Sequence, residues 1–441
     1  MAWQIVIAGG GFGGFYAARA LERLLPAQSA HVTLVNNANF LLYTPLLPGA
    51  AGATLDPRHV VVPLRSQLRR TDLVIGQVTG ADPALRTLGV ERIDGERVDL
   101  SYDQLIVALG SVSRTLPVPG LAEHAIGFKS LADATTMRNQ VLNCMDIAES
   151  LEDPARRTEY LGFVFVGAGY AGVEGLAELQ DFAAQAIQLY PRCRAHGMRW
   201  VLAEARDRIM QEVPPTLSKF AEGELRRRGI EVRTGTTLRE VTAHGAELSD
   251  GETVAARTVV WTAGVKPSPV VARLGLPLDR EGRIVVDRTM RAQLGDRQPL
   301  PEGSDLAGAG TVWAIGDSAA VPDSSRQGRP CPPTAQHAIR QGRQVARNVV
   351  ATLGGGRAKP FRYRTKGVVA ELGQREAVAI TLGIRWRGFP AWLIARTYHL
   401  LLMPGTGRRL RLLVDWNVAL VFGRDASSPG VLGSPTSLKQ E

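Results

Sequence analysis

The chain has 441 residues, too many for one hydrophobic core, so two or three domains are expected. With 45% hydrophobic and 21% charged residues it has a globular balance, and no apolar run reaches the ~18–20 residues that a membrane span requires. A net charge of +10 suits anionic surfaces or ligands, while the lack of any recognisable nucleic-acid module argues against DNA or RNA.

The first element is an apolar strand, Ile5–Ala8, with no charged leader before it. Strand-length apolar runs recur at Val32–Val35, Leu105–Ala108, Phe163–Val166, Trp200–Ala203, Val259–Thr262 and Val312–Ile315. Near-continuous apolar strands with helical stretches between them predict an α/β class with parallel sheets covered on both faces. Leu248–Val254 reads as a hairpin around Asp250-Gly251, Thr115–Gly120 as a Pro/Gly-rich crossing between domains, and 291–310 as a loop. The last dozen or so residues read as a disordered tail.

The organising fact is a repeat. Gly9, Gly11 and Gly14 fit G-x-G-x-x-G between the first strand and a helical Phe15–Leu25, and Gly167, Gly169 and Gly172 repeat the pattern after Phe163–Val166 and before Val173–Ala184. The first glycine allows a tight turn, the second lets backbone approach a pyrophosphate, and the third lets helix and strand pack closely, with the helix N-terminus facing the phosphates. The next strand ends at Asn36 in the first copy and at Glu204 in the second. A carboxylate at Glu204 can take both hydroxyls of an adenosine ribose and repels a 2′-phosphate, which favours NADH over NADPH; Arg206 and Arg208 nearby act against that preference. Asn36 can bond a ribose without the strength of a charged acceptor. Two such loops imply two nucleotides, with hydride passing from a nicotinamide to a second acceptor, most commonly a flavin.

The three cysteines, Cys144, Cys193 and Cys331, form no CxxC pair and no metal-like spacing, which argues against a disulfide framework and a dithiol centre and points to a cytoplasmic setting. No metal is expected.

Together these features resemble the flavoproteins with two dinucleotide-binding domains. Trp313-Ala314-Ile315-Gly316-Asp317 is similar to that family's second FAD motif, Ala108-Leu109-Gly110-Ser111 to its ATG-like strand end, and Trp261-Thr262-Ala263-Gly264-Val265 to the close of its nicotinamide domain. Within that group the chain, from about residue 3 to about 425, most resembles the type II NADH dehydrogenases (NADH:quinone oxidoreductases). The specific marks are Tyr43-Thr44-Pro45-Leu46-Leu47, Glu174 behind the second glycine loop, Pro332 to Gly342 with Ala335-Gln336-His337-Ala338, and Lys366-Gly367.

The resemblance implies an FAD-binding domain over 1–118 and 292–362, an NAD(P)H-binding domain over 119–291, a membrane-association region over 363–425, and a tail over 426–441. It implies FAD on Gly9, Gly11, Gly14, Asn36, Thr44, Pro45, Ala108, Gly110, Asp317, Ala335 and Gln336, and NADH on Gly167, Gly169, Gly172, Glu204, Ala263 and Gly264. Glu174, Gln336, Arg340 and Lys366 would serve the redox chemistry, with Glu174 and Lys366 assisting proton delivery to a quinone. The family's quinone motif reads A-Q-x-A-x-Q-x-G, and Arg340 stands where the second Gln is expected; an arginine cannot accept a hydrogen bond but can donate one to a quinone carbonyl.

The C-terminal segments Pro390–Met403 and Leu410–Phe422 read as two short apolar helices flanked by basic residues and by Trp386, Trp392, Tyr398 and Trp416. Such a pair suits an anionic membrane interface, a dimer contact or a packed hairpin, and the resemblance selects the membrane, with dimerisation alongside. The expected protein is thus a peripheral NADH:quinone oxidoreductase on the cytoplasmic face of the membrane, using menaquinone or ubiquinone and pumping no protons. The alternatives are a soluble NAD(P)H-dependent flavoprotein reductase with a protein or small-molecule acceptor, for which Arg340 speaks, and a redox-sensing protein that binds NADH and FAD without turnover.

Overall fold

The computed structural model describes residues 2–293, 311–323, 328–363, 365 and 367–428. Residues divide into two compact units, Met1–Leu42, Val61–Val112 and Val265–Arg364 forming the first, and Tyr43–Val60, Ser113–Gly264 and Thr365–Glu441 the second. The divisions fall near residues 112 and 264, and Val265–Pro267, just past the second, pairs with Ser111–Ser113. Tyr43–Val60 also leaves the first unit, although the strands on either side of it, Phe40–Leu42 and Val61–Pro63, pair within that unit.

In the first unit a seven-stranded sheet runs Val312–Ala314, Gln104–Val107, Trp3–Ala8, Ala30–Asn36, Thr71–Asp82, Thr87–Arg92, Arg97–Ser101. The first five strands are parallel, in the register Val6 opposite Thr33 on one side and Leu105 on the other. The last pairings are antiparallel, a meander that the sequence reading passed over. Chain order reverses at Trp3–Ala8, which puts a switch point at its carboxyl end, the place where such sheets bind ligands. Helices Phe12–Leu24 and Ala335–Leu353 pack side by side in this unit, and a Cβ on Gly342 would lie 2.3 Å from the carbonyl oxygen of Gly13. The glycine that ends the Gln336 motif is therefore where these two helices come closest.

The second unit repeats the plan. Ala125–Gly127, Thr258–Trp261, Gly162–Val166, Arg199–Glu204 and Ile230–Thr234 make an all-parallel five-stranded sheet. Val164 lies opposite Val201 on one side and Val259 on the other, so the order again reverses at the strand before the glycine loop. The expected hairpin is present as Gly245–Leu248 against Thr253–Ala255, turning at Gly251 with φ +89°. The C-terminal part adds a three-stranded antiparallel sheet and the helices Phe389–Leu402 and Thr406–Phe422. The second helix begins four residues earlier than its apolar run, directly after Gly405, which takes positive φ. The segment expected to be a tail lies outside the described residues from 429 onward, and so does most of the loop expected over 291–310.

Candidate functional site: two nucleotide cradles and a buried carboxyl cluster

The two glycine loops have the same construction. Gly9 has φ +104°, and a Cβ there would sit 2.4 Å from the carbonyl oxygen of Ala108; Gly167 has φ +102°, and its Cβ would sit 2.8 Å from the backbone of Ala263. A side chain at either position is both strained and obstructed. The third glycines are pressed tighter: Cβ atoms on Gly14 and Gly172 would lie 1.8 Å and 1.9 Å from the carbonyl oxygens of Gly9 and Gly167. At the second glycines, Gly11 and Gly169, a Cβ would meet nothing within 4 Å. Each loop is thus closed on its protein side and open where a pyrophosphate would approach the helix N-terminus. Ala108 and Ala263 form the walls behind the two loops, followed in each case by a glycine of positive φ, Gly110 and Gly264.

The ends of the second strands are tied to the loops in the same way. Asn36 Oδ1 accepts the N–H of Gly10 at 2.8 Å, and its Nδ2 donates to the carbonyl of Ala38 at 2.7 Å. Glu204 Oε2 accepts the N–H of Ala168 at 2.7 Å, and Oε1 accepts the N–H of Arg206 at 3.0 Å. The two arginines beside Glu204 are turned to other work. Arg206 bonds Gln211 Oε1 at 3.1 Å, and Arg208 bonds the carbonyls of Val213 and Gln211 at 2.9 and 2.7 Å. The hydroxyl of Tyr170, opening the second loop's helix, is buried without a protein partner.

In the first unit, Asp317 accepts the hydroxyl of Ser111 at 2.6 Å, and the N–H of Gly316 donates to the fully buried Gln341 Oε1 at 2.7 Å. Ser111 and Gln341 stand in the quoted motifs, which gave neither of them a role; the structure ties both to the Gly316-Asp317 turn. Those motifs did not include Tyr363, whose hydroxyl donates to Gln336 Oε1 at 2.7 Å. Arg340, at the departure from the family motif, does not project freely. Its guanidinium lies 4.2 Å from the Tyr363 ring centre and donates to the carbonyl of Gln336 at 2.9 Å. Ala335, Gln336 and Arg340 share the first turns of the helix capped by Thr334.

Glu174 belongs to the second unit, on the helix Tyr170–Ala186. Its carboxylate accepts the N–H of Glu371 at 3.1 Å. It keeps some exposed surface, yet the protein packed around it raises its carboxyl to about 8, with Glu371 and Glu178 adding like-charge repulsion. One and two turns on, Glu178 and Asp181 meet Arg424, Glu178 at 3.1 Å, and Glu371 meets Arg396 at 3.3 Å. The Arg396 guanidinium lies between the rings of Trp392 and Trp416, 4.8 and 4.6 Å from their centres. Glu178, Asp181, Arg396 and Arg424 line a cavity of about 500 Å³ whose walls include Leu393, Leu400, Leu413 and Leu420 of the two C-terminal helices. His399, buried in the first of those helices, is pushed down to about 4 by burial and by Arg396.

Of the residues expected on the nucleotide and redox sites, Gly9, Gly11, Gly14, Asn36, Ala108, Gly110, Asp317, Ala335, Gln336 and Arg340 fall in the first unit, and Gly167, Gly169, Gly172, Glu204, Ala263, Gly264 and Glu174 in the second. Thr44 and Pro45, expected on FAD, open a short turn that groups with the second unit, where neighbouring Tyr43 packs edge-on to His399. Lys366 lies outside the described residues.

Comparison with known proteins agrees with this construction. Residues 3–342 match the family described as pyridine nucleotide-disulphide oxidoreductase. The chain is 30% identical, over 96% of its own length and 89% of the relative's, to the type II NADH:quinone oxidoreductase Ndh of Mycobacterium tuberculosis. It is 29% identical to the demethylphylloquinone reductase NdbB of a Synechocystis strain, covering 94% of this chain and 95% of that one. Among solved structures, NDH2 of Plasmodium falciparum in complex with NADH superposes with a TM-score of 0.87 at 17% identity, covering 97% of this chain and all of the other.

Proposed function

The chain belongs to the type II NADH:quinone oxidoreductases, and from that premise we propose that it passes electrons from NADH through bound FAD to a quinone at an anionic membrane surface. The observation that carries the two-nucleotide half of this reading is the duplicated cradle, Gly9/Gly14 against Ala108 and Gly167/Gly172 against Ala263.

FAD would be held with its pyrophosphate over Gly11 and the N-terminus of helix Phe12–Leu24, its adenosine ribose at Asn36 and its ribityl chain at Asp317. When bound, a flavin supplies a two-electron carrier between a hydride donor and a quinone. NADH would lie over Gly169, with Glu204 facing the ribose. Arg206 and Arg208 are bonded to residues 210–213, and the carboxylate of Glu204 repels a 2′-phosphate, which together favour NADH.

Reducing a quinone to a quinol consumes two protons, and NADH brings one with its hydride. Glu174 is the group suited to hold the other: with its carboxyl raised to about 8 it keeps a proton through neutral pH on the oxygen that does not accept the Glu371 N–H. Gln336, held by Tyr363, and Arg340 would orient the quinone by hydrogen bonds to its carbonyls.

Among the described residues no helix is long and apolar enough to cross a membrane. The C-terminal helices nevertheless expose Leu401, Leu410, Val418, Val421 and Phe422, with Arg408, Arg409 and Arg411 among them. An exposed apolar row with arginines at its edge suits insertion to headgroup depth, on the cytoplasmic face of the membrane. The deciding experiment is anaerobic NADH oxidation by the purified flavin-loaded protein, with and without a short-chain menaquinone analogue. Quinone-dependent turnover is expected. Bleaching of the flavin by NADH with no quinone-dependent turnover would overturn the quinone half and keep the nucleotide half.

A further inference from the structure

We propose that Asp323, Cys331 and His337 form a binding site for a divalent metal ion of the zinc class. Nothing in the NADH-to-quinone reading calls for it, and the two stand or fall separately. One ligand atom from each residue, a carboxylate oxygen, a thiol sulfur and an imidazole nitrogen, lies within 4.8 Å of the other two. Asp323 and His337 are buried and Cys331 is half-buried.

The three come from different places in the first unit. Asp323 and Cys331 stand on the two sides of a small hairpin, where Pro322 bridges to Pro330, Asp323 N–H donates to the Arg329 carbonyl at 2.9 Å, and Cys331 N–H donates to the Val321 carbonyl at 2.8 Å. His337 comes from the first turn of the helix Ala335–Leu353. Spacings of seven and five intervening residues are no familiar metal motif, which is why the sequence led to no expectation of a metal; the fold makes the cluster.

Donor chemistry selects the ion. A thiolate excludes Mg²⁺ and Ca²⁺, which take oxygen ligands, and the S, N, O combination with three protein donors is that of a four-coordinate zinc site with one open position. Charge balance agrees. Thiolate and carboxylate together carry two negative charges and a neutral imidazole adds none, a donor set that matches the charge of a dication. On binding, the Cys331 thiol gives its proton to solvent as the S–metal bond forms, so uptake releases protons and strengthens with pH. His337 also has the outer partner that metal-bound imidazoles use: its Nδ1 lies 2.7 Å from the Thr334 hydroxyl, which orients the ring. A bound ion would pin the hairpin to the helix that carries Gln336.

The test is equilibrium dialysis of chelator-treated, flavin-loaded protein against Zn²⁺, read by metal analysis of the retained protein. One zinc per chain is expected, with uptake abolished in Cys331→Ser and His337→Ala and weakened ~10–100-fold in Thr334→Val. No uptake, or uptake that Cys331→Ser and His337→Ala leave unchanged, overturns the proposal. Flavin content and melting temperature check that the variants fold. The unaltered protein gives a second measurement: Cys144 and Cys193 are buried, so a thiol reagent reads Cys331, and zinc should slow that reaction. An unchanged rate overturns the proposal whatever the variants do.

Discussion

Glu204 accepts the backbone N–H of Ala168 at 2.7 Å, and in the other unit Asn36 accepts that of Gly10 at 2.8 Å. The same bond thus joins the end of the second strand to the residue after the first loop glycine in both folds. One copy uses a carboxylate and the other an amide, so this bond does not depend on the charge.

Glu204→Gln keeps an acceptor for Ala168 and removes the charge. Charge-assisted bonds are worth about 1.5–3 kcal/mol, so NADH should bind roughly tenfold more weakly while NADPH gains. The ratio of kcat/KM for the two nucleotides should fall at least tenfold; an unchanged ratio would remove Glu204 from the nicotinamide site.

Gly172→Ala places a Cβ 1.9 Å from the Gly167 carbonyl oxygen. Overpacking of this kind costs about 1–3 kcal/mol. The variant should be purified yellow, with its flavin, while its KM for NADH rises roughly tenfold or more. Loss of flavin with unchanged NADH affinity would mean the two cradles have been assigned to the wrong nucleotides.

The carboxyl of Glu174 stands raised, at about 8 against an ordinary 4.5, mainly through burial. The folded protein therefore holds a proton that the unfolded chain has released between those values, and stability falls as pH rises from 4.5 through 8. Glu174→Gln removes this loss. Melting temperatures measured from pH 5 to pH 9 should show the variant overtaking the parent at the alkaline end, by on the order of 2 kcal/mol. Parallel curves would place the carboxyl in solvent.

Tyr363→Phe deletes the hydroxyl that donates to Gln336 at 2.7 Å. A hydrogen bond of this kind contributes about 1 kcal/mol, so KM for the quinone should rise roughly fivefold with the NADH half-reaction, followed by flavin bleaching, unaffected. Arg340→Gln, which releases the stack on the same ring, should act in the same direction.

Val421 and Phe422 are 71% and 82% exposed at the end of the last helix. Replacing both with Asp removes two side chains worth about 1.5–3 kcal/mol each if inserted in lipid. Sedimentation with vesicles containing anionic lipid should be lost, while turnover with a water-soluble quinone analogue persists. Retained sedimentation would move the contact elsewhere.

What could be read directly from the sequence is local. Gly9 to Gly14 and Gly167 to Gly172 announce themselves because each turn's demands are met within six residues, and Glu204 follows from strand length. The seven apolar runs all became strands for the same reason. What stayed hidden depends on closure over distance: Ser111 meets Asp317 across 206 positions, and Gln341 reaches back 25 to Gly316. Of the acids around Glu174, none of Glu178, Asp181 and Glu371 carries a signal in the sequence. Only folding brings Arg424 to Glu178 and Arg396 to Glu371.

That cluster also dictates an order of events during synthesis. All five strands of the second unit's parallel sheet come from residues 125–234 and 258–261, so the sheet can close while the ribosome is still at work. Glu178 and Asp181 then wait on its helix, unmatched, for a partner that lies 246 and 243 residues downstream. Until Arg424 emerges, the nascent domain carries two acids where the finished protein has ion pairs. The final described helix therefore joins a domain whose sheet is already complete, and it arrives as a wall of the cavity that Glu178 and Asp181 line.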